Sequence, residues 1–234
     1  MSRPGRSASH RRIGGEVRER WFRPASAYWR PELYERYFTD TPIGALLRRR
    51  DDEIVEASLA RLLEPHHRVL EVGAGTGHYT LSVARRCEAV VALDAAPEMA
   101  DYLRTRAGRE GASNVEARMG RLPDEIGVDG PFDGVVCLGV LGYVDDLDAA
   151  LAGLTARLRP GGWALVSMPP STLEGRLHAV VELAARRRVS LRSAPQASAA
   201  ARRAGLEVRG QARAGLTPGG ITLLLDARRA DGAA

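Results

Sequence analysis

Apolar positions follow two rhythms along this chain. From residue 68 onward, short apolar runs bounded by acids or glycines alternate with stretches of helical spacing. RVLEVG, 68–73, is a short run closed by a glycine and reads as a strand. YTLSVARRC, 79–87, has helical spacing, and AVVALD, 89–94, is an apolar strand ending in an acid. PEMADYLRTRA, 97–107, reads as a helix, NVEARM, 114–119, and FDGVVCLG, 132–139, as strands. DLDAALAGLTARL, 146–158, is a helix with acids at its start, where the partial positive charge of a helix favours them. RPGG then predicts a turn before a fifth strand, WALVSM, 163–168. This alternation predicts an α/β, doubly wound and mostly parallel sheet covered on both faces. The end breaks the rhythm. GLEVRGQARAGL and GITLLLDARR flank TPGG, the pattern of an antiparallel hairpin that completes seven strands.

Ahead of this region, Ile43, Leu46, Leu47, Ile54, Val55, Leu59 and Leu62 recur near helical spacing and predict a helix over 43–63. WFRPASAYWRPELYERYF, 21–38, contains seven of the chain's twelve aromatic residues. The first 20 residues contain six arginines and no apolar periodicity, the pattern of a solvated basic tail. The expected organisation is a tail, 1–20, a helical lid or appendage, 21–63, and one ligand-binding domain, 64–234.

Composition changes this picture little. The 234 residues and 44% apolar content suit one core. The net charge of +5 comes entirely from arginine on the basic side, and those arginines are dispersed, which argues against a nucleic-acid surface. Cys87 and Cys137 lie in apolar stretches and read as reduced core thiols. Neither a membrane-length apolar run nor a signal-peptide pattern is found, so a cytoplasmic protein is expected, with no membrane partner, as a monomer or homodimer.

The chemistry is concentrated in VLEVGAGTGHYT, 69–80. Gly73, Gly75 and Gly77 follow a strand that carries Glu71. In a parallel sheet, ligands bind beyond the carboxyl ends of the strands, and glycines there let backbone approach them closely. A dinucleotide turn places its third glycine where this chain has His78, and a carboxylate beside a pyrophosphate repels it. The pattern fits a ligand that carries a positive charge and no phosphate.

Glu71-Val72-Gly73-Ala74-Gly75-Thr76-Gly77 resembles the first motif of the class I S-adenosylmethionine-dependent methyltransferases. Asp94 resembles the ribose-binding acid of that family, Ala95 and Met99 follow where the family lines the adenine, and FDGVVCLGVLGYVDD and LRPGGWALVSMPP resemble its fourth- and fifth-strand segments. The resemblance runs over about residues 66 to 228 in order and spacing. It implies a Rossmann-like fold, S-adenosyl-L-methionine as cofactor, and a cofactor site that includes Glu71, Gly73, Ala74, Gly75, Gly77, Asp94, Ala95, Met99 and Leu138. An acid often contacts the adenine after the third strand, but here Gly120-Arg121 occupies that place, with Asp124 a less suitable substitute. The amino-terminal helices of the family commonly cover the cofactor with a tyrosine, which makes Tyr28 and Tyr37 candidates.

Methyl transfer requires alignment, exclusion of water and, for a hydroxyl nucleophile, help with its proton. Tyr143 takes the place of a histidine found in many relatives and is expected to orient the nucleophile. His178, in the insertion after the fifth strand, is the rival base. His78 is expected to pack or hydrogen-bond at the turn, and His66 and His67 fall at the far end of the sheet. No cluster has metal-ligand spacing, so no metal is expected. The resemblance implies transfer to a small, apolar or aromatic metabolite, on oxygen, in biosynthesis of a natural product or quinone-like compound. A non-methylating cyclase or binding protein of the same fold, and an RNA or protein methyltransferase, are the alternatives.

Overall fold

The computed structural model describes residues 30–220 and 222–230. The basic tail, and Trp21, Phe22, Tyr28 and Trp29 of the aromatic block, lie outside the described residues. Two helices come first, α1 (Pro31–Asp40) and α2 (Pro42–Leu62). Pro31 and Pro42 each open a helix, where a missing N–H costs nothing, and the Thr41 hydroxyl between them accepts the Gly44 N–H at 3.1 Å. The alternation follows as β1 (Arg68–Val72), α3 (His78–Ala84), β2 (Ala89–Asp94), α4 (Pro97–Arg109), β3 (Val115–Met119), β4 (Phe132–Cys137), α5 (Leu147–Thr155) and β5 (Leu158–Met168). Two insertion helices, α6 (Leu173–Ala184) and α7 (Ala194–Arg203), precede the hairpin β6 (Leu206–Ala214) and β7 (Thr222–Arg229).

The seven strands lie in the order β3-β2-β1-β4-β5-β7-β6. β1 to β5 pair in parallel, and β7 enters antiparallel between β5 and β6. The order reverses between β1 and β4, the point at whose carboxyl ends open parallel sheets bind ligands. Each face of the sheet has its own core. Leu147, Leu151 and Leu154 of α5 and Ala197, Ala200 and Ala201 of α7 cover one. Val55, Leu59 and Leu62 of α2, Val83 of α3 and Leu103 of α4 cover the other, with Trp163 and Leu165. The carboxyl-terminal half of α2 is thus built into the core, while its amino-terminal half carries Arg48, Asp51 and Asp52 toward the site.

Two expectations are corrected. RPGG does not end the fifth strand's neighbourhood with a turn: β5 starts at Leu158 and runs through it, because Phe132 pairs with Leu158 and Gly134 with Trp163. The extra residues form an irregularity within the strand, with Gly161 at a φ of +69°. The helix after Gly77 is also shorter than its spacing predicts, ending at Ala84.

Helix α6 inverts the usual polarity. Its buried residues are Gly175 and Glu182, whereas Leu173, Leu177, Val180, Val181 and Leu183 are exposed. Among the described residues no helix is long and apolar enough to cross a membrane.

Candidate active site

Three glycines shape the turn after β1. Gly73 and Gly77 have φ of +80° and +86°, and a Cβ on Gly73 would lie 1.9 Å from Val140 Cγ2. A side chain there is therefore excluded twice, by conformation and by the segment after β4. Gly75 has φ of +54° and nothing within 4 Å of an added Cβ, so its bare backbone faces open space. The Gly73 and Ala74 N–H groups donate to the Leu93 carbonyl at 2.7 and 2.9 Å, and the Gly75 N–H donates to Asp94 Oδ2 at 2.8 Å. The turn is thereby tied to the end of β2. Asp94 Oδ1 accepts the Ala96 N–H at 2.9 Å, which fixes the carboxylate and leaves lone pairs on both oxygens. Burial raises the Asp94 carboxyl above its ordinary value, against the pull of these N–H groups.

Glu71 is 3% exposed, and neither its Oε2 nor the Thr80 hydroxyl makes a hydrogen bond of normal geometry among the described residues, although Thr80 lies close enough to oppose in part the effect of burial on the carboxyl. Burial pushes the Glu71 carboxyl up to about 7. A buried carboxylate oxygen without a partner is costly and is stabilised by a cation. The cationic ammonium and vicinal hydroxyls of S-adenosylmethionine match the two acids that the turn brings together, so the residues present fit this group. Ala95 and Met99 follow Asp94 at the start of α4, with Met99 buried. The Gly120 N–H donates to the Asp94 carbonyl at 2.9 Å, which places Gly120 beside β2. Arg121 is exposed and paired with Glu125 at 2.7 Å. Leu138, half-buried, directly follows β4, two residues before Val140.

Helix α1 is fastened to this turn. Glu35 accepts a hydrogen bond from the Thr76 hydroxyl and pairs with Arg48 at 3.4 Å and with Arg106 at 3.9 Å. The Arg48 guanidinium lies 4.3 Å from the centre of the Phe38 ring, and Arg106 donates to the Thr76 carbonyl at 3.2 Å. One turn along α2, Asp52 meets His78 at 2.7 Å. The His78 hydrogen bond and charge outweigh burial and hold the Asp52 carboxyl below its usual range. Tyr37, expected at the cofactor, is 45% exposed with its ring edge-on to Phe38. Tyr34 is instead the inward residue of α1, its phenol raised by burial. Asp51 is pushed up to about 6 by burial, beside Thr222.

Beyond β4, Leu141–Tyr143 form a 3₁₀ turn. The Tyr143 hydroxyl donates to Glu182 Oε2 at 3.1 Å, and Arg187 Nη2 donates to Glu182 Oε1 at 2.9 Å. Burial raises the Tyr143 phenol far above its ordinary value, so it keeps its proton at neutral pH. His178 lies one helical turn before Glu182 on α6, and burial lowers its pKa. Glu35, Thr76, Glu182 and Arg187 were not foreseen. Thr76 stands inside the glycine motif itself. Glu182 is an acid within an apolar helical stretch four residues after His178, a spacing that puts both on one face.

Glu64, His66 and His67 come within ligand distance of one another at the opposite end of the sheet. His67 Nδ1 there already accepts the Glu64 N–H at 3.1 Å and the Trp163 indole N–H at 3.3 Å.

Residues 69–162 match the family model described as a methyltransferase domain. The chain is 35% identical over 115 residues to the ubiquinone biosynthesis O-methyltransferase of Xylella fastidiosa, a match covering 49% of this chain and 46% of that protein. It thus spans about half the length of that relative. It is 30% identical over 152 residues to the protein-L-isoaspartate O-methyltransferase of Nitrobacter winogradskyi, covering 64% of this chain and 67% of the relative. Among solved structures, magnesium protoporphyrin IX methyltransferase from Synechocystis, crystallised with bound SAH, superposes with a TM-score of 0.71 at 18% identity, covering 93% of this chain and 100% of that one.

Proposed function

The chain belongs to the class I S-adenosylmethionine-dependent methyltransferase family, and from that premise we propose that it methylates an oxygen of a small, apolar or aromatic metabolite, in the biosynthesis of a natural product or quinone-like compound. The observation that carries the methyl-donor part of this reading is the pairing of a buried Glu71 oxygen without a hydrogen bond of normal geometry with an Asp94 carboxylate that is hydrogen-bonded to the glycine turn. When bound, S-adenosylmethionine supplies a methyl group activated on a sulfonium.

The chain's own residues do the rest. Glu71 holds the cofactor's ammonium, and Asp94 accepts the two ribose hydroxyls. Gly73 and Gly75 let the backbone approach, and Ala95, Met99, Gly120 and Leu138 border the adenine end. Helix α1, anchored through Glu35, covers the turn and excludes water, which keeps the reacting groups aligned. Tyr143 orients the nucleophile. His178, its pKa lowered by burial, is neutral at pH 7 and able to take the nucleophile's proton. The ubiquinone-biosynthesis relative supports oxygen as the acceptor.

Incubation of the protein with methyl-labelled S-adenosylmethionine and a panel of hydroxylated aromatic compounds tests this. Label recovered in an O-methyl ether is the expected result. Label recovered only on nitrogen or carbon, or only in protein or RNA, contradicts the assignment.

A further inference from the structure

Helix α6 is polar where it faces the protein. Of its residues, Glu182 is 5% exposed, while Leu177, Val180 and Val181 on the other side are more than half exposed. A buried carboxylate on a helix with exposed leucines has a reason to be there other than packing. Its partners are specific. Arg187 engages both oxygens, from Nε and Nη2, and Tyr143 donates its only proton to Oε2. A guanidinium only donates, so both carboxylate oxygens are held facing donors, and the Tyr143 hydroxyl meets Oε2 as an acceptor. The Tyr143 proton is then directed at Glu182, and what the phenol presents elsewhere is its oxygen lone pairs.

Tyr143 stands in the turn after β4, at the carboxyl end of the sheet, where the proposed function puts the substrate. It closes the turn after β4, three residues beyond Val140, which covers Gly73. The Pro169 ring abuts Gly142, and the Ser190 N–H donates to the Gly142 carbonyl at 2.7 Å, so the turn is clamped between the end of β5 and the segment after α6. The phenol is therefore held in place, and its direction of donation is set.

We infer that the Glu182–Arg187 pair fixes Tyr143 as a hydrogen-bond acceptor toward the substrate, so that the site selects substrates presenting a protonated hydroxyl or N–H and rejects ionised carboxylates. Glu182 and Arg187 are positioning residues in this scheme, acting through Tyr143. The inference rests on the methyltransferase reading above and adds the polarity of the substrate group that Tyr143 holds, a donor distinct from the one whose proton His178 takes. A site built to pair with a donor discriminates strongly, since a mismatched ligand leaves two acceptors facing each other.

The test uses the full chain saturated with S-adenosylhomocysteine and two probes, phenol and benzoate, whose dissociation constants are measured by ligand-detected NMR at neutral pH. Phenol keeps its proton there and benzoate has none. Wild type is expected to bind phenol about tenfold or more tighter than benzoate. Replacing the pair together, Glu182→Met with Arg187→Met, removes both charges without stranding either and frees the phenol proton to turn outward. That variant should lose the preference. Tyr143→Phe, which leaves the pair intact, should lose phenol affinity with little change for benzoate. A merely structural role for the pair would lower both affinities and leave their ratio unchanged. An unchanged ratio in the double variant overturns the inference, as does a wild type that prefers benzoate, shows no preference or binds neither probe. Binding of S-adenosylhomocysteine is titrated first in each protein: its failure in wild type refutes the methyltransferase reading, whereas intact binding with an unmoved ratio refutes only the role of the pair.

Discussion

Below about pH 7, burial favours a proton on Glu71 that a bound cation should expel. In the free protein burial pushes its carboxyl up to about 7. An ammonium beside it favours the ionised form, so cofactor affinity should rise with pH through about 7 and level off above it. Glu71→Gln should flatten that dependence in calorimetric titrations over this range. Stability of the ligand-free protein should move the opposite way. The folded carboxyl keeps its proton up to about 7 while the unfolded one loses it near 4.5, so between those values the folded state binds more protons and stability falls as pH rises. Asp94→Ala removes the acceptor for the Gly75 and Ala96 N–H groups as well as for a ribose. Charge-assisted bonds are worth about 1.5–3 kcal/mol each, so a loss of about a hundredfold or more in cofactor affinity is expected. His178 gives a kinetic signature: its lowered pKa should carry full activity below pH 6.5, with the rate falling only as the imidazole finally protonates. A rate that falls already above pH 6.5 would remove His178 as the base.

Between elements, the decisive contact is α1 on the glycine turn. Glu35 ties Thr76, Arg48 and Arg106 together across three segments. Cofactor binding should slow amide exchange over residues 31–40, and Glu35→Ala should abolish that slowing and weaken cofactor binding several-fold. Equal exchange with and without cofactor would make α1 a fixed appendage. The parallel strands, the acid-capped α5 and the hairpin were all legible in the sequence, because burial on both faces and turn chemistry leave local marks. Asp146 does cap α5, accepting the Ala149 N–H at 2.9 Å. The length of β5 was not legible, because glycine and proline in RPGG signal a turn whether the chain leaves the sheet or merely bulges within it. Nor were Glu35 and Glu182. Each is one acid among the chain's 29 Asp and Glu, and only tertiary contact distinguishes it. The aromatic block drew attention to α1 but not to the face it turns inward: Tyr34 is shielded there and Tyr37 is 45% exposed.

For the molecule as a whole, the sheet order reverses at β1 and β4, and the candidate site gathers at their carboxyl ends: the glycine turn, Asp94, helix α1 with Glu35, Tyr143 and Glu182 of α6. Gly73 is where these parts press closest. Gly73→Ala would drive a Cβ into Val140 at a φ of +80° and should cost cofactor binding before it costs the fold, which circular dichroism and a binding titration on the same sample would separate. The central claim is that this edge holds S-adenosylmethionine through Glu71 and Asp94. Calorimetric titration of the wild-type chain and of Asp94→Ala with S-adenosylmethionine addresses it directly: one saturable site in the wild type, with affinity lost in the variant, is the predicted result, and either no binding by the wild type or an equal affinity in both proteins would contradict it.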